Sequence, residues 1–159
     1  MARFGQDPRH REFVPLYEFC IERDLPVQFD AAENATGERA APPVSFAVLA
    51  RIYPRLKVVC RDSESWHGKM LELLRRFSNL FLQVDGFTLH PLLQATDSRK
   101  LVFGSDWRGR EASYFARVEA IRRLPWQHRR NVGWRTAVRI YGPRLFRPPA
   151  RFDCRPSPR

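Results

Sequence analysis

Four aspartates stand at comparable places in the sequence, each at the end of a short apolar run. They are Asp30, Asp62, Asp85 and Asp106. Carboxylates gathered on one face repel each other unless a cation, bound protons or arginine side chains neutralise them, so such a group is typical of a site that binds a cation or moves protons. The alternative is structural, because an aspartate after a strand often caps the following helix or turn. The sequence leaves both interpretations open.

Other polar and aromatic side chains extend this candidate site. Gln83 is the polar residue within the third apolar run and Trp107 follows Asp106 directly, so both are candidates to line a pocket with Asp30, Asp62 and Asp85. The histidines do not form a His-x-His pair anywhere; they are His10, His67, His90 and His128. We expect His67, His90 and His128 on the surface.

Alternating strand-like and helix-like patterns position these residues between Arg11 and Gly142. Strands are predicted at residues 27–29, 56–60, 80–84 and 101–103, and helical periodicity follows each of them. This alternation is typical of β-α units around a parallel sheet, with right-handed crossovers that put the strands side by side. Ligands of such sheets bind at the carboxyl ends of the strands, which is where the four aspartates stand. The predicted class is α/β.

The apolar positions of the helices predict which faces pack on the sheet. They are Phe13, Leu16, Tyr17, Cys20 and Ile21 in the first helix, Val44, Val48, Leu49 and Ile52 in the second, Met70, Leu73, Leu74 and Phe77 in the third, Leu89, Leu92 and Leu93 in a short fourth, Tyr114, Val118, Ile121 and Leu124 in a longer fifth, and Trp134, Ala137, Val138 and Tyr141 in the last. A Gly142-Pro143 pair predicts the end of the last helix.

Length and composition indicate one folded domain. The chain has 159 residues, of which 43% are hydrophobic and 28% charged. No apolar run is long enough to span a membrane and the first residues lack an apolar signal region, so we expect a cytoplasmic protein without a membrane partner. The domain is predicted over residues 1–142, and the Pro- and Arg-rich tail over 143–159 is expected to be disordered. Three widely spaced cysteines, Cys20, Cys60 and Cys154, indicate reduced thiols, the first two in the core.

The net charge of +11 raises the question of an acidic partner. Only three of the positive charges are lysines, and the arginines are spread along helices and the tail rather than grouped with aromatic residues in one module. A nucleic-acid partner is therefore not favoured, although it predicts a steep loss of affinity with salt.

Four segments taken together resemble the carboxyl-terminal half of the amidohydrolase-related family, which includes the aminocarboxymuconate-semialdehyde decarboxylase-like metal-dependent hydrolases and decarboxylases. They are residues 15–28, Leu56-Lys-Val-Val, Leu101-Val-Phe-Gly-Ser-Asp-Trp, and the helix ending Ala137-Val-Arg-Ile-Tyr-Gly. The resemblance covers roughly residues 7 to 142. It implies a partial (β/α)8 TIM-type barrel, of which this chain would supply the last four β-α units.

The resemblance also implies a divalent metal ion, commonly zinc, that activates a water or polarises the substrate. Asp106 matches the family's aspartate after the eighth strand, a metal ligand and proton acceptor. Asp30 and Asp62 stand where the family has histidines after the fifth and sixth strands. The resemblance thus makes Asp106 catalytic and a metal ligand, with Asp30 as the second candidate ligand. The positions just past the strands make Asp62, Asp85 and Trp107 candidate substrate-binding residues. Carboxylates in place of imidazoles would favour Mg2+ or Mn2+ over zinc, or leave no metal bound.

The length of the chain opens a second interpretation. A complete barrel needs about 250 residues, and a half barrel leaves two strand edges unpaired and its inner face open. We therefore expect either a hydrolase or decarboxylase domain with an impaired metal site acting on a small molecule, or a non-catalytic binding or assembly module. In both cases a second copy of the chain or a separate half-barrel partner would complete the structure.

Overall fold

The computed structural model describes residues 7–30, 42–61, 67–85, 89–104 and 111–143. Four strands form one sheet: β1 (Pro26–Asp30), β2 (Lys57–Arg61), β3 (Leu80–Val84) and β4 (Leu101–Phe103). They lie in the order β1-β2-β3-β4, and every neighbouring pair is parallel. The predicted α/β architecture of consecutive parallel β-α units, a partial TIM-type barrel, is confirmed.

The helices follow the predicted order. They are α1 (Val14–Glu22), α2 (Pro43–Ile52), α3 (His67–Arg76), α4 (Leu89–Ala95), α5 (Glu111–Arg122), α6 (Trp126–Arg130) and α7 (Thr136–Tyr141), with π-helical turns at Asn131–Arg135 and 3-10 turns at Arg11–Phe13 and Ser98–Lys100. Pro15 and Pro43 stand in the first turns of α1 and α2, where a missing N–H costs nothing. Gly142 ends α7 with a φ of 84°, a backbone conformation that residues with a side chain rarely adopt.

The main core lies between one face of the sheet and α1 to α5. Strand residues of that face, including Val58, Leu80 and Leu82, are fully or almost fully buried. Tyr17 of α1 is buried among them, and its hydroxyl donates to the Pro8 carbonyl at 2.6 Å. Cys60 also lies in this core as a free thiol, so the prediction that it is a reduced core residue is confirmed.

Asn79 ties the elements around β2 together. Its side-chain amide lies 3.2 Å from the carbonyl of Ala50 and 3.0 Å from those of Tyr53 and Leu56. These three carbonyls follow one another along the end of α2 and the approach to β2. One side chain just before β3 therefore holds the turn from α2 into β2.

The opposite face of the sheet, which would line the inside of a barrel, carries a second and smaller core. Val59, Phe81 and Val102 form it together with Ile140 of α7, and Ala137 and Tyr141 pack against it. The sequence predicts that this face stands open. That expectation is corrected at the level of Val59, Phe81 and Val102, where α7 covers three of the strands. Asn131 anchors the approach to α7 through a 2.8 Å bond to the buried hydroxyl of Ser98.

Several helix faces differ from the apolar stripes. The predicted inward residues Leu16, Val44, Ile52, Tyr114 and Trp134 are exposed. On α2 the predicted Leu49 is buried, but the other buried positions are Pro43, Ser45, Phe46 and Ala50. The helix is apolar nearly all round, so its sequence alone does not select a face.

No helix among the described residues is long and apolar enough to cross a membrane. Residues 144–159, which hold most of the predicted tail, lie outside the described part of the chain.

Candidate functional site

The backbone register brings three polar residues into one row at the carboxyl ends of the strands. Asp30 pairs with Arg61 of β2, and Arg61 pairs with Gln83 of β3. Residues paired in register share a face of the sheet, and this row continues the face that carries Val59 and Phe81 two positions earlier. A polar layer thus stands above the apolar layer covered by α7.

A hydrogen-bonded chain crosses this polar layer. The Gln28 side-chain amide donates to the Gln83 side-chain oxygen at 2.8 Å, and the Tyr141 hydroxyl donates to the Gln28 side-chain oxygen at 3.4 Å. The bond between the glutamines passes over β2 and links β1 to β3. Burial of the Tyr141 ring raises the pKa of its hydroxyl, which keeps that hydroxyl a neutral donor.

Gly104 makes room for this chain. A side chain at Gly104 would overlap the Cδ and Nε2 atoms of Gln83. Its backbone N–H donates to the Val84 carbonyl at 2.9 Å, so the main chain after β4 lies tightly against β3. Glycine here lets Gln83 lie flat across the end of β4 and reach toward Gln28.

Asp85 follows β3 and forms an ion pair with α5. Arg117 Nη2 lies 3.5 Å from Asp85 Oδ2, with 17% of the arginine side chain and 35% of the aspartate side chain exposed. An arginine partner is one of the three ways to neutralise an acid at this end of the sheet. The pair also joins the end of β3 to the helix that follows β4.

The other predicted site residues lie at or beyond the limits of the described residues. Asp30 is the last residue of β1 rather than the first after it, and the structure describes its backbone alone. Asp62, Asp106 and Trp107 lie outside the described residues, so their roles stay predictions. Arg61 stands among these positions, with Asp62 next to it in the chain and Asp30 beside it in the register.

The described residues do not by themselves form a metal centre. No group of three histidine, cysteine, aspartate or glutamate side chains among them is arranged to hold a metal ion. Zinc prefers nitrogen and sulfur donors, and the row at the strand ends offers instead one carboxylate, a guanidinium and an amide. This donor set does not fit zinc.

His90 and His128 lie on helices, and Cys60 lies on the opposite face of the sheet from the row. His90 is exposed at the start of α4, as predicted, with its Nε2 3.4 Å from the Gln94 side-chain nitrogen. His128 lies half-buried in α6, so it is less exposed than the sequence suggested. Burial raises the pKa of the Cys60 thiol, which keeps it protonated and unreactive.

Sequence reasoning missed Gln28, Arg61, Arg117 and Tyr141 as neighbours of the site. Alternation along β1 and β2 places Gln28 on the same face as Asp30, and Arg61 on the same face as Val59. The faces of Gln28 and Arg61 could therefore have been predicted from the sequence. Arg117 and Tyr141 approach from α5 and α7, and nothing in the sequence states where those helices pack.

The comparisons agree with this architecture. The sequence matches the amidohydrolase family over residues 2–142, which is most of the chain. A search of curated proteins gives no significant match. The matched range spans all four strands and ends at the glycine that closes α7. With a parallel β-α sheet and a family match of this extent, the chain belongs to the amidohydrolase family.

Proposed function

We propose that the chain is a hydrolase or decarboxylase domain of the aminocarboxymuconate-semialdehyde decarboxylase-like branch, dependent on a divalent metal ion and acting on a small molecule in the cytoplasm. The observation that carries this proposal is the family match over residues 2–142. The sheet supports it. Strand β1 ends at Asp30 and β3 ends just before Asp85, and the carboxyl ends of these parallel strands lie at one edge of the sheet. That edge is where barrels of this type carry out their chemistry.

In this proposal Asp106 binds the metal ion and accepts a proton, and Asp30 is a second ligand. A divalent ion lowers the pKa of bound water and polarises a carbonyl. Two carboxylate ligands favour Mg2+ or Mn2+ over zinc, although zinc is the commoner ion by resemblance to the family. Asp62, Asp85 and Trp107 are proposed to contact the substrate.

The described residues suggest how the floor of such a site is held. Gln28 and Gln83 are fixed to each other at 2.8 Å and face the interior, so they give a substrate a polar surface that does not ionise. Arg117 and Asp85 form an ion pair at the end of β3, so this part of the floor offers a substrate hydrogen-bond donors and acceptors rather than an uncompensated charge.

An activity screen tests the proposal. The purified chain is assayed with added Zn2+, Mg2+ or Mn2+ for hydrolysis of nitrophenyl esters and anilides, and for release of carbon dioxide from aromatic carboxylic acids. Asp106→Asn is expected to abolish any metal-dependent turnover. The matched control is Asp24→Asn, because Asp24 precedes β1 at the opposite end of the sheet and its φ of 54° is one that asparagine also tolerates. Turnover unchanged in Asp106→Asn would contradict the proposal.

A second candidate is a non-catalytic assembly module, and the exposed apolar residues favour it. Phe19 is 49% exposed on α1, the helix before β1, and Phe115 is 64% exposed on α5, the helix after β4. Among the described residues β1 and β4 each pair with one neighbouring strand. The exposed rings and the edges of β1 and β4 are surfaces on which a second copy of the chain can associate.

Light scattering tests this second candidate. We expect a particle of twice the chain mass, and Phe19→Ser and Phe115→Ser to shift it toward the monomer. A strictly monomeric chain that unfolds cooperatively would argue against assembly from two copies.

A further inference from the structure

A basic pocket opens at the amino ends of β3 and β4, opposite the edge where the aspartates gather. Its volume is about 380 Å3. The lining residues come from the end of α3, the turns before β3 and β4, and α7; they are Arg75, Arg76, Ser78, Phe81, Asp97, Arg99, Lys100 and Arg139. We call this the basic pocket. Family chemistry takes place at the other end of the sheet, so the pocket is independent of the proposed function.

Positive charge is in large excess in the basic pocket. Five of its lining side chains are cations and one, Asp97, is an acid. Asp97 already has a partner, because it accepts from the Arg99 backbone N–H at 2.9 Å and from Arg99 Nε at 2.7 Å. Asp97 also acts through space on Lys100 and Arg139, but five cations face one acid, which leaves the lining residues with an excess of four positive charges.

Lys100 is held at the base of the pocket by the main chain. Its Nζ donates to the carbonyls of Phe77 and Ser78, both at 2.7 Å, and lies 5.3 Å from the centre of the Phe81 ring. Desolvation lowers the pKa of Lys100, and the nearby charge of Arg139 lowers it further. A positive charge is thus unfavourable here, and an anion in the pocket would offset that cost.

The guanidinium groups around Lys100 contact main-chain oxygens and a ring. Arg139 Nη1 donates to the Arg99 carbonyl at 3.3 Å, Arg75 Nη2 donates to the Ala95 carbonyl at 2.5 Å, and Arg76 lies over the Phe77 ring. These contacts orient each group without neutralising it. Since a guanidinium has five N–H donors in a planar fork, most donors remain available for oxygen atoms of a ligand.

We propose that the basic pocket binds a small multivalent phosphate-type oxyanion, such as inorganic pyrophosphate or the diphosphate of a nucleotide. Arginine forks match phosphate oxygens bidentately, and a diphosphate brings several negative charges into one small volume. The cations converge on one concavity from three parts of the chain rather than forming a stripe, the arrangement that an extended nucleic acid requires.

Calorimetric titration of the chain with inorganic pyrophosphate at constant ionic strength tests the proposal. The variants are Arg76→Gln, Arg139→Gln and their combination, which leave the Lys100 contacts with the main chain in place. The control is Arg51→Gln, because Arg51 is an exposed arginine on α2 away from the pocket and its loss changes the net charge equally. We expect one site per chain, about tenfold weaker binding in each pocket variant, and wild-type affinity in the control.

Three outcomes would overturn the proposal. They are no binding of pyrophosphate, equal weakening by Arg51→Gln, which would indicate attraction to net charge alone, and unchanged binding in the double pocket variant, which would place the anion elsewhere, for example on a metal ion. A parallel titration with ADP shows whether the pocket prefers an inorganic diphosphate or the diphosphate of a nucleotide. Tighter binding of ADP than of pyrophosphate indicates an organic diphosphate, and the reverse indicates an inorganic one.

Discussion

Gly104 and Gln83 show how one missing side chain supports a polar contact across the sheet. A methyl group at Gly104 would displace the end of the Gln83 side chain and break its 2.8 Å bond to Gln28. We expect Gly104→Ala to lower the free energy of unfolding by about 1 kcal/mol, the net value of one hydrogen bond. Urea unfolding measures this loss.

The double variant Gly104→Ala with Gln83→Ala separates this cause from a backbone effect. With Gln83 shortened, the added methyl group meets no side chain, so Gln83→Ala should cost less when Gly104→Ala is already present than in the wild type. If the losses of unfolding free energy in the two single variants simply add in the double variant, the overlap with Gln83 is not the reason why Gly104→Ala destabilises the chain.

Cys60 links pH to stability because its thiol is fully buried. Burial raises the pKa of the Cys60 thiol above its value in the unfolded chain. The folded chain then retains a proton that the unfolded chain releases, so stability is complete below the unfolded pKa and falls as pH rises past it. The slope from this one thiol reaches about 1.4 kcal/mol per pH unit.

Replacing the thiol tests this linkage. In Cys60→Ala the free energy of unfolding is lower at neutral pH because of the small cavity, but its decline between about pH 8.5 and 10 should be shallower than in the wild type. Unfolding curves at several pH values give both slopes. Parallel slopes would mean that Cys60 does not titrate on unfolding.

Among the helices, α7 carries more of the fold than its length suggests. Ile140 is 0% exposed and packs against Val59, Phe81 and Val102 on the inner face of the sheet. We expect Ile140→Ala to cost about 3 kcal/mol of unfolding free energy. Ile52→Ala is the matched control, because Ile52 is 58% exposed on α2 and should change stability by less than about 0.5 kcal/mol. Equal losses in the two variants would exclude α7 as a cover for the sheet.

Strands are easier to predict from this sequence than helix faces. The sequence predicts strands at residues 80–84 and 101–103, and the structure has strands with those bounds, because short apolar runs between turn residues permit little else. For the last helix the sequence predicts one continuous stripe that includes Trp134. The structure has π-helical turns at Asn131–Arg135, which take more residues per turn and change the direction of the side chains, so Trp134 is exposed while Thr136 is buried.

The site is only partly accessible from the sequence for a similar reason. Strand ends and alternation place Asp30 and Gln83 at one edge of the sheet. The Gln28 to Gln83 bond depends on strand register, which local sequence does not state, and the Asp85 to Arg117 pair depends on how α5 packs. Asp106, the residue that the family resemblance singles out, lies outside the described residues.

Across the molecule, charge is balanced differently at the two ends of the sheet. At the carboxyl ends Asp30 stands beside Arg61 in the strand register and Asp85 pairs with Arg117, whereas the basic pocket at the amino ends of β3 and β4 has four more cations than acids. An anion is therefore expected at the amino ends, and the proposed cation at the carboxyl ends depends on Asp106. The two sites lie at opposite ends of the sheet, so separate variants test each of them.

The metal content of the purified chain tests the central claim most directly. After dialysis against metal-free buffer, plasma mass spectrometry is applied to the wild type, Asp106→Asn and the control Asp24→Asn. The account predicts close to one divalent ion per chain in the wild type and the control, and its loss in Asp106→Asn. An absence of metal in all three proteins would contradict the proposed metal-dependent chemistry of this chain.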